Sequence, residues 1–198
     1  LSSTPAVPLV RGGSNDPARV THLLDAGAYG VICPLVSSAE EARAFVSSCR
    51  CPPVGSRSFG PSRGLLYGGR DYVAQANDAI LAIPMIETAE VVERIDEILA
   101  LEGVDTVYVG PNDLALSLGE PPGSEPAGTR AAAAIARVLG AAKRAGKPAG
   151  MFCSGAAGAR MRAEQGFDLV TPGNDFGTRT AAMAAAFEAF FAASAAQA

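Results

Sequence analysis

The sequence is poor in the features that mark nucleic-acid binding, secretion or membrane insertion. Its 198 residues include 16 basic and 20 acidic side chains, a net charge of -4, and no run of Lys and Arg. A surface for nucleic acid or for an anionic membrane needs clustered positive charge, so neither partner is expected. The first residues lack a basic segment followed by a long apolar stretch, which predicts a cytoplasmic protein.

Histidine and cysteine are also scarce. The single histidine is His22, and the cysteines are Cys33, Cys49, Cys51 and Cys153. The spacing of Cys49 and Cys51 differs from CxxC and no histidine lies beside them, so a zinc site is not indicated. We interpret the cysteines as ordinary thiols of a reducing compartment, with Cys33 and Cys153 buried in apolar strands.

No apolar run is suited to span a membrane. The longest, residues 181–198, is mostly alanine and is interrupted by Glu188, which predicts a packed helix of a soluble protein. Its larger apolar residues recur at helical spacing, at Met183, Phe187 and the pair Phe190/Phe191. With 48% hydrophobic and 18% charged residues, the chain 1–198 is interpreted as a single domain that ends in this helix.

One pattern recurs along the chain and indicates an α/β fold. A helix-like stretch ends at a glycine, a short apolar strand follows, and a polar turn rich in Pro or Gly closes the unit. The glycines are Gly27, Gly103 and Gly166. Glycine just past a helix adopts the left-handed conformation without a Cβ clash. Continuous apolar runs are typical of parallel strands buried on both faces.

Six strands are predicted, each followed by a helix. They are residues 7–10, 30–33, 80–86, 106–109, 148–153 and 167–171. A TIM (β/α)8 barrel has eight such units in about 250 residues, so the sequence predicts about six of the eight strand-helix units of a barrel. An open doubly wound sheet is the alternative, although no GxGxxG turn follows the first strand.

Several helix starts are indicated by residues that cap helices. The predicted N-caps are Asp16, Ser38 and Thr88. Each has a side-chain oxygen that accepts a hydrogen bond from the first turn. The helix after Thr88 is expected to continue to Leu101, and Arg162 in a later helix is interpreted as a solvated charge.

Polar side chains follow the predicted strands at the ends where α/β proteins bind ligands. They are Arg11, Glu87, Asp113, Asn174 and Asp175. Two carboxylates on neighbouring strands, Glu87 and Asp113, suit a hard divalent cation with open water positions. Arg11 across the site would neutralise a bound anion. A cation and an arginine together stabilise an enolate, because both act where negative charge develops.

Each of these residues also has a simpler interpretation. Glu87 would be favourable at a helix start without any metal. Asx turns account for Asp113 and Asp175, and for Asp175 we keep that interpretation. Arg57 and Arg63 lie in a Gly-rich loop that fits a substrate entrance as well as it fits ordinary surface arginines. For Glu87 and Asp113 the shared position at strand ends favours the metal site.

The segments around these residues resemble the HpcH/HpaI family of hydroxy-oxo-heptanedioate aldolases and citrate-lyase-beta-like proteins. The resemblance lies in Met85-Ile86-Glu87-Thr88, in 102–105, in Val109-Gly110-Pro111-Asn112-Asp113-Leu114, in Arg11 with 15–17, in 34–36 with 39–42, and in the loop 52–68. Each motif is short, but their order and spacing match over nearly the whole chain from Leu9 onward.

The resemblance implies a role for several residues of this sequence. Glu87 and Asp113 would bind a divalent cation, Mg2+, Mn2+ or Co2+. The backbone N–H groups of Asn112 and Asp113 would bind the substrate carboxylate, Arg57 would contact substrate, and Arg11 would stabilise the enolate oxygen. The implied reaction is reversible cleavage of a 4-hydroxy-2-oxo acid into pyruvate and an aldehyde. The family also implies a homo-oligomer in which the C-terminal helix is exchanged between partners.

One part of the family pattern has no counterpart in these residues. The family's proton-transfer Asp and His come from a strand that would lie ahead of Leu1, and His22 falls off the buried stripe of its helix. We therefore expect this chain to bind metal and pyruvate weakly and to turn over hydroxy-oxo acids poorly. Two other functions stay open: cleavage of an acyl-CoA thioester on the same barrel, and an inactive remnant that only oligomerises.

Overall fold

The computed structural model describes residues 4–123 and 127–195, which form a six-stranded parallel sheet surrounded by helices. The strands are β1 Leu9–Arg11, β2 Gly30–Cys33, β3 Leu81–Ile86, β4 Val107–Val109, β5 Ala149–Cys153 and β6 Leu169–Pro172. They pair in the order of the chain, from β1 to β6. The result is a half-barrel, which confirms the six predicted strand-helix units.

The helices alternate with the strands and cover one face of the sheet. They are α1 Pro17–Asp25, α2 Ala39–Cys49, α3 Ser62–Gly68, α4 Tyr72–Ala79, α5 Ala89–Glu93, α6 Ile95–Leu99, α7 Pro111–Ser117, α8 Arg130–Arg144, α9 Ala156–Gln165 and α10 Asp175–Ala195. The three predicted N-caps are confirmed, because the side chains of Asp16, Ser38 and Thr88 accept hydrogen bonds from the first turns of α1, α2 and α5.

The strand order excludes the doubly wound alternative. In that fold the order reverses once, at the point where the ligand binds. Here every strand pairs only with its neighbours in the chain, with Arg11 beside Ile32 and Ile32 beside Ile83. When the strand order of a sheet never reverses and all its helices lie on one face, the sheet curves toward a barrel. A second core then forms on its inner face.

The apolar core has two parts because the sheet has two buried faces. The larger part lies between the strands and the helices and includes Leu24, Phe45 and Ile98. The smaller part lies on the inner face of the half-barrel and consists of Ile32, Ile83, Met85 and Tyr108. The strands therefore carry apolar residues on both sides, as the continuous runs predicted.

The repeated glycines and the aspartates after them set the strand starts. Gly103 and Gly166 have φ values of 84° and 99°, which confirms the predicted left-handed helix ends. Two residues later, Asp105 accepts a 2.6 Å hydrogen bond from the amide of Ala82, and Asp168 accepts a 3.0 Å bond from the amide of Ala149. Each aspartate thus ties the start of its own strand to the strand before it.

Two expectations about the outer helices are wrong. The helix predicted from Thr88 to Leu101 is two short helices, because the backbone at Arg94 (φ -107°, ψ 19°) leaves the helical region between α5 and α6. The break lets both helices turn apolar residues inward. Arg162 is not solvated but 5% exposed, and its Nη1 donates a 2.9 Å hydrogen bond to Oε1 of Gln165.

Cys33 and Cys153 lie in buried strands, as the sequence predicted. Cys33 and Cys153 are buried in β2 and β5, and Cys49 is buried at the end of α2. Burial raises the pKa of Cys33 and of Cys49 to about 12. Both thiols stay protonated at neutral pH and are unreactive, since the thiolate is the nucleophile.

The last helix, α10, stands apart from the core. Every side chain from residue 175 to residue 191 is exposed, so the described residues do not bury this helix, and its expected role as an oligomer contact stays a prediction. Its large apolar side chains are more than half exposed: Phe176, Met183, Phe187, Phe190 and Phe191. None of the helices in the described residues is long and apolar enough to cross a membrane.

Candidate active site

A cavity of about 430 Å³ opens at the carboxyl ends of the strands. Parallel strands direct their carboxyl ends to one rim, so residues that follow different strands meet there. The structure brings three of the predicted residues to its wall: Arg11 from β1, and Asn112 and Asp113 from the start of α7. Asn174, after β6, also lines it.

Glu87 directly follows β3 and is 1% exposed. Its Oε1 accepts a 2.7 Å hydrogen bond from the backbone N–H of Leu35. Leu35 has a φ of 54°, which is rare for a residue with a side chain. The turn after β2 is therefore held in an uncommon conformation that directs an amide at the Glu87 carboxylate.

The other oxygen of the same carboxylate has no partner. Oε2 of Glu87 is buried and accepts no hydrogen bond from any described residue. This oxygen lies against the backbone of Gly110. If residue 110 had a Cβ, that atom would collide with Oε2 and would lie 2.8 Å from Cε of Met85. Glycine at position 110 is thus needed for the strand end to pass so close to the carboxylate.

The charges around Glu87 oppose one another. Burial and, to a smaller extent, the charge of Asp113 raise the pKa of Glu87. The hydrogen bond from Leu35 and the charge of Arg11 lower it, and the net shift is upward. A buried carboxylate that faces a second carboxylate and has one unpaired oxygen is satisfied by a proton or a cation.

Asp113 lies in the first turn of α7, where Gly110 is the N-cap and Pro111 the first helical residue. Gly110 has no side chain to cap the helix, and the N–H groups of Asn112 and Asp113 find no backbone acceptor among the described residues. These two amides are therefore available to an oxygen atom at this end of the cavity.

Arg11 ends β1 with an exposed side chain. No salt bridge or side-chain hydrogen bond joins its guanidinium to any described residue, yet its charge acts on Glu87. An arginine in a cavity wall without a protein partner is available to bind an anionic group.

Comparison with known proteins agrees with this arrangement. Residues 1–182 match the family model described as HpcH/HpaI aldolase/citrate lyase. The chain belongs to the HpcH/HpaI aldolase/citrate lyase family. The resemblance inferred from the strand-end motifs is thus confirmed.

Individual HpcH/HpaI relatives match most of the chain. A hydroxypyruvate/pyruvate aldolase of Rhizorhabdus wittichii is 44% identical over 177 residues, 89% of this chain and 70% of that protein. A 4-hydroxy-2-oxo-heptane-1,7-dioate aldolase of Klebsiella pneumoniae is 37% identical over 88% of this chain and 66% of that protein. The crystal structure of a family protein from Burkholderia cenocepacia superposes with a TM-score of 0.85 at 34% identity, over 95% of this chain and 75% of that one.

The residues of this HpcH/HpaI chain fit a divalent cation with few protein ligands. No group of three or more His, Cys, Asp or Glu side chains suited to a metal occurs in the described ranges. Mg2+ is commonly bound by one or two carboxylates, with water and substrate oxygens completing its shell. The unpaired Oε2 of Glu87 and the carboxylate of Asp113, whose charge acts on it, would suit such a donor pair. Because Oε2 is buried, a cation would reach it only after a neighbouring group had shifted.

Arg57 lies elsewhere in the structure. Its guanidinium is 1% exposed and forms a 2.9 Å salt bridge with Asp25, and both terminal nitrogens lie 3.3 Å from the hydroxyl of Tyr72. It does not line the cavity that contains Arg11 and Asp113. The expected contact of Arg57 with substrate therefore stays a prediction, and the described geometry favours a structural role. Arg63 is exposed and bonds Tyr67.

Sequence reasoning missed three features of the cavity. The amide of Leu35 carries no sequence signal, because its role depends on a backbone angle. Met85 and Tyr108 were assigned to strands, and only the alternation of side chains between the two faces would have placed them inside the barrel. Thr171 lies in β6, the last strand, and lines the same cavity.

Proposed function

We propose that this chain is a metal-dependent aldolase that reversibly cleaves a 4-hydroxy-2-oxo acid into a pyruvate-type 2-oxo acid and an aldehyde. The observation that carries the proposal is the buried, unpaired Oε2 of Glu87 next to the charge of Asp113. Such a pair is costly unless a cation joins it. The aldolase names of relatives that are 44% and 37% identical support this reading over the acyl-CoA lyase.

The roles of the residues follow from their positions. Glu87 and Asp113 would bind Mg2+, Mn2+ or Co2+, which when bound would polarise the keto group of the substrate. The backbone N–H groups of Asn112 and Asp113 would donate hydrogen bonds to the substrate carboxylate. Arg11 would stabilise the negative charge that develops on the keto oxygen as the carbon-carbon bond breaks.

Our proposal assigns no proton-transfer group among the described residues. His22 is exposed on α1 and does not line the cavity. The sheet has two strand edges that no described strand covers, at β1 and β6. General acid-base assistance contributes about 10²–10⁴-fold to a rate. We therefore propose that these 198 residues bind metal and 2-oxo acid but turn over slowly without two further strand-helix units.

The experiment compares the chain as given with a version extended upstream of Leu1 by two strand-helix units from a relative. Release of pyruvate from a 4-hydroxy-2-oxo acid is measured with Mn2+ present. We expect the extended version to be at least about 100-fold faster. Equal rates would show that the proton-transfer group lies within these residues or is a metal-bound water. Cleavage of a malyl-CoA-type thioester but of no hydroxy-oxo acid would instead establish the acyl-CoA lyase.

A separate proposal concerns α10. Its phenylalanines are more than half exposed and form an apolar stripe on an alanine background. Exposed apolar side chains at helical spacing are typical of helices that pack against another subunit. We infer that α10 is the contact of a homo-oligomer.

A further inference from the structure

Residues 34–38, which follow β2 and which we call the β2 turn, are held in place by the next helix. Oε2 of Glu41, in the first turn of α2, accepts a 2.8 Å hydrogen bond from the backbone N–H of Ser37. The N–H of Glu41 donates a 3.1 Å bond to Oγ of the N-cap, Ser38. The exchange is similar to a capping box, in which a glutamate three residues after the N-cap reaches back to the start of the helix.

The β2 turn needs this support because Leu35 has a left-handed backbone. Its φ of 54° crowds the Cβ against the backbone, whereas a glycine adopts such an angle freely. The side chain of Leu35 is 63% exposed, so its packing does not offset that cost. Hydrogen bonds around Leu35 offset it instead, because Glu41 holds Ser37 and Oγ of Ser37 donates a 3.4 Å bond to the carbonyl of Leu35.

Glu41 also contacts the loop that follows β1. Its backbone carbonyl accepts a 3.1 Å hydrogen bond from Nδ2 of Asn15, in the loop that begins after Arg11. Through the β2 turn the same residue is connected to the end of β3, because the amide of Leu35 bonds Oε1 of Glu87 at 2.7 Å. One glutamate of α2 therefore joins the segments that follow three successive strands.

We propose that Glu41 is a positioning residue for the cation site. By holding the β2 turn, it directs the amide of Leu35 at Oε1 of Glu87, and a carboxylate fixed through one oxygen presents the other in one orientation. The inference rests on the proposed function, because it concerns the cation that Glu87 would bind there. Groups that orient a metal ligand commonly change metal affinity by about 10–100-fold when they are removed. Glu41 acts through Leu35 and does not line the cavity.

Two simpler roles of Glu41 would give different results. As a helix cap alone, it would stabilise α2 and leave the affinity of the folded protein for a cation unchanged. As a negative charge alone, it would attract the cation, and its hydrogen bond to Ser37 would not matter. Glutamine separates the second role from positioning, since it retains an oxygen acceptor but has no charge.

The experiment is a calorimetric titration of the chain with Mn2+. We expect Glu41→Ala to weaken Mn2+ binding at least about tenfold, and Glu41→Gln to remain within about threefold of the original because Ser37 keeps its acceptor. Glu40→Ala is the matched control. Glu40 is an exposed carboxylate in the same first turn of α2, and its removal should leave Mn2+ binding unchanged.

A second set of variants tests whether Glu41 acts through the β2 turn. Leu35→Gly keeps the amide and adopts the left-handed angle without support. In the Leu35→Gly background, Glu41→Ala should therefore weaken Mn2+ binding by less than about threefold, which a double-mutant cycle measures. Without any metal, hydrogen exchange of the Leu35 amide, followed by NMR, should be at least about tenfold faster in Glu41→Ala than in the original.

The other outcomes overturn the inference in distinguishable ways. If folded Glu41→Ala binds Mn2+ as the original does, Glu41 only caps α2, and the positioning role is refuted while the aldolase proposal stands. If Glu41→Gln is as weak as Glu41→Ala, or if Leu35→Gly does not reduce the loss, the effect does not pass through the β2 turn. If the original chain binds no Mn2+, the cation site of the proposed function fails, and the positioning role fails with it. Circular dichroism confirms that each variant is folded.

Discussion

The amide of Leu35 donates a 2.7 Å hydrogen bond to Oε1 of Glu87, which lies 52 residues further along the chain. This contact joins the turn after β2 to the end of β3. It fixes one oxygen of the carboxylate, while the other, Oε2, has no partner among residues 4–123 and 127–195. A side chain held in this way is positioned for a ligand before the ligand binds, which reduces the cost of ordering it.

The first prediction concerns cation binding. Glu87→Gln retains an oxygen for the Leu35 amide but removes the charge, and Asp113→Ala removes the second proposed ligand. We expect each change to abolish the binding of Mn2+ in a calorimetric titration, because two carboxylates are the only protein ligands assigned. Glu90→Ala is the matched control, since Glu90 is an exposed carboxylate three residues away. Unchanged affinity in both site variants would refute the assignment.

The second prediction concerns Arg11. Arg11→Lys keeps the charge but loses the planar fork of the guanidinium. Loss of one preorganised donor typically costs about 3 kcal/mol in the transition state, or about 100-fold in rate. The measurement is exchange of the methyl protons of pyruvate with D2O, followed by NMR with Mg2+ in the upstream-extended protein. The fold should be unaffected because the side chain is exposed, and an exchange rate equal to that of the original would exclude the proposed role.

The third prediction separates the two interpretations of Arg57. Arg57→Met removes the buried partner of Asp25, and breaking such a pair should lower the free energy of unfolding by about 3 kcal/mol in urea titrations. Arg63→Met, at an exposed position of the same loop region, should change it by less than about 0.5 kcal/mol. Affinity for pyruvate should be retained in folded Arg57→Met protein. If the Arg57→Met variant is stable but no longer binds pyruvate, the interpretation of Arg57 as a substrate contact is supported instead.

The fourth prediction concerns the assembly state. Deletion of the residues after Thr180 should lower the mass found by light scattering, because it removes the apolar stripe of α10. Phe187→Glu places a charge in the same stripe without shortening the chain, and should act in the same direction. If both proteins keep the mass of the original, α10 is not the oligomer contact.

Much of the fold could be predicted from local signals. Gly103 and Gly166 mark helix ends because few other residues adopt their backbone angles, and Asp16 and Ser38 mark helix starts because their side chains cap them. These signals act over a few residues, so the sequence alone contains them. The observed strands begin or end one or two residues away from the predicted limits. Differences of this size are usual at the ends of secondary-structure elements.

The sequence could predict that some of the strand-end residues meet, but not the geometry around them. Arg11 and Asp113 meet because each follows a parallel strand, a consequence of topology that strand prediction captures. The burial of Arg57 and Arg162 could not be foreseen, since charged residues in helices and loops are usually solvated. The hydrogen bond between the hydroxyls of Tyr108 and Thr171 depends on a gap at Gly150, and local patterns do not show which residues face one another across a strand.

The strand order has a consequence for how the molecule tolerates change at its ends. Each strand of the sheet bonds only to the strands before and after it in the chain, so stability is a linear series of nearest-neighbour couplings, as in repeat proteins. Within the described sheet, β1 and β6 each bond to one strand, whereas the interior strands bond to two and are expected to open more rarely. Glu87 and Asp113 follow the third and fourth of the six strands, which places the two carboxylates where local opening is rarest.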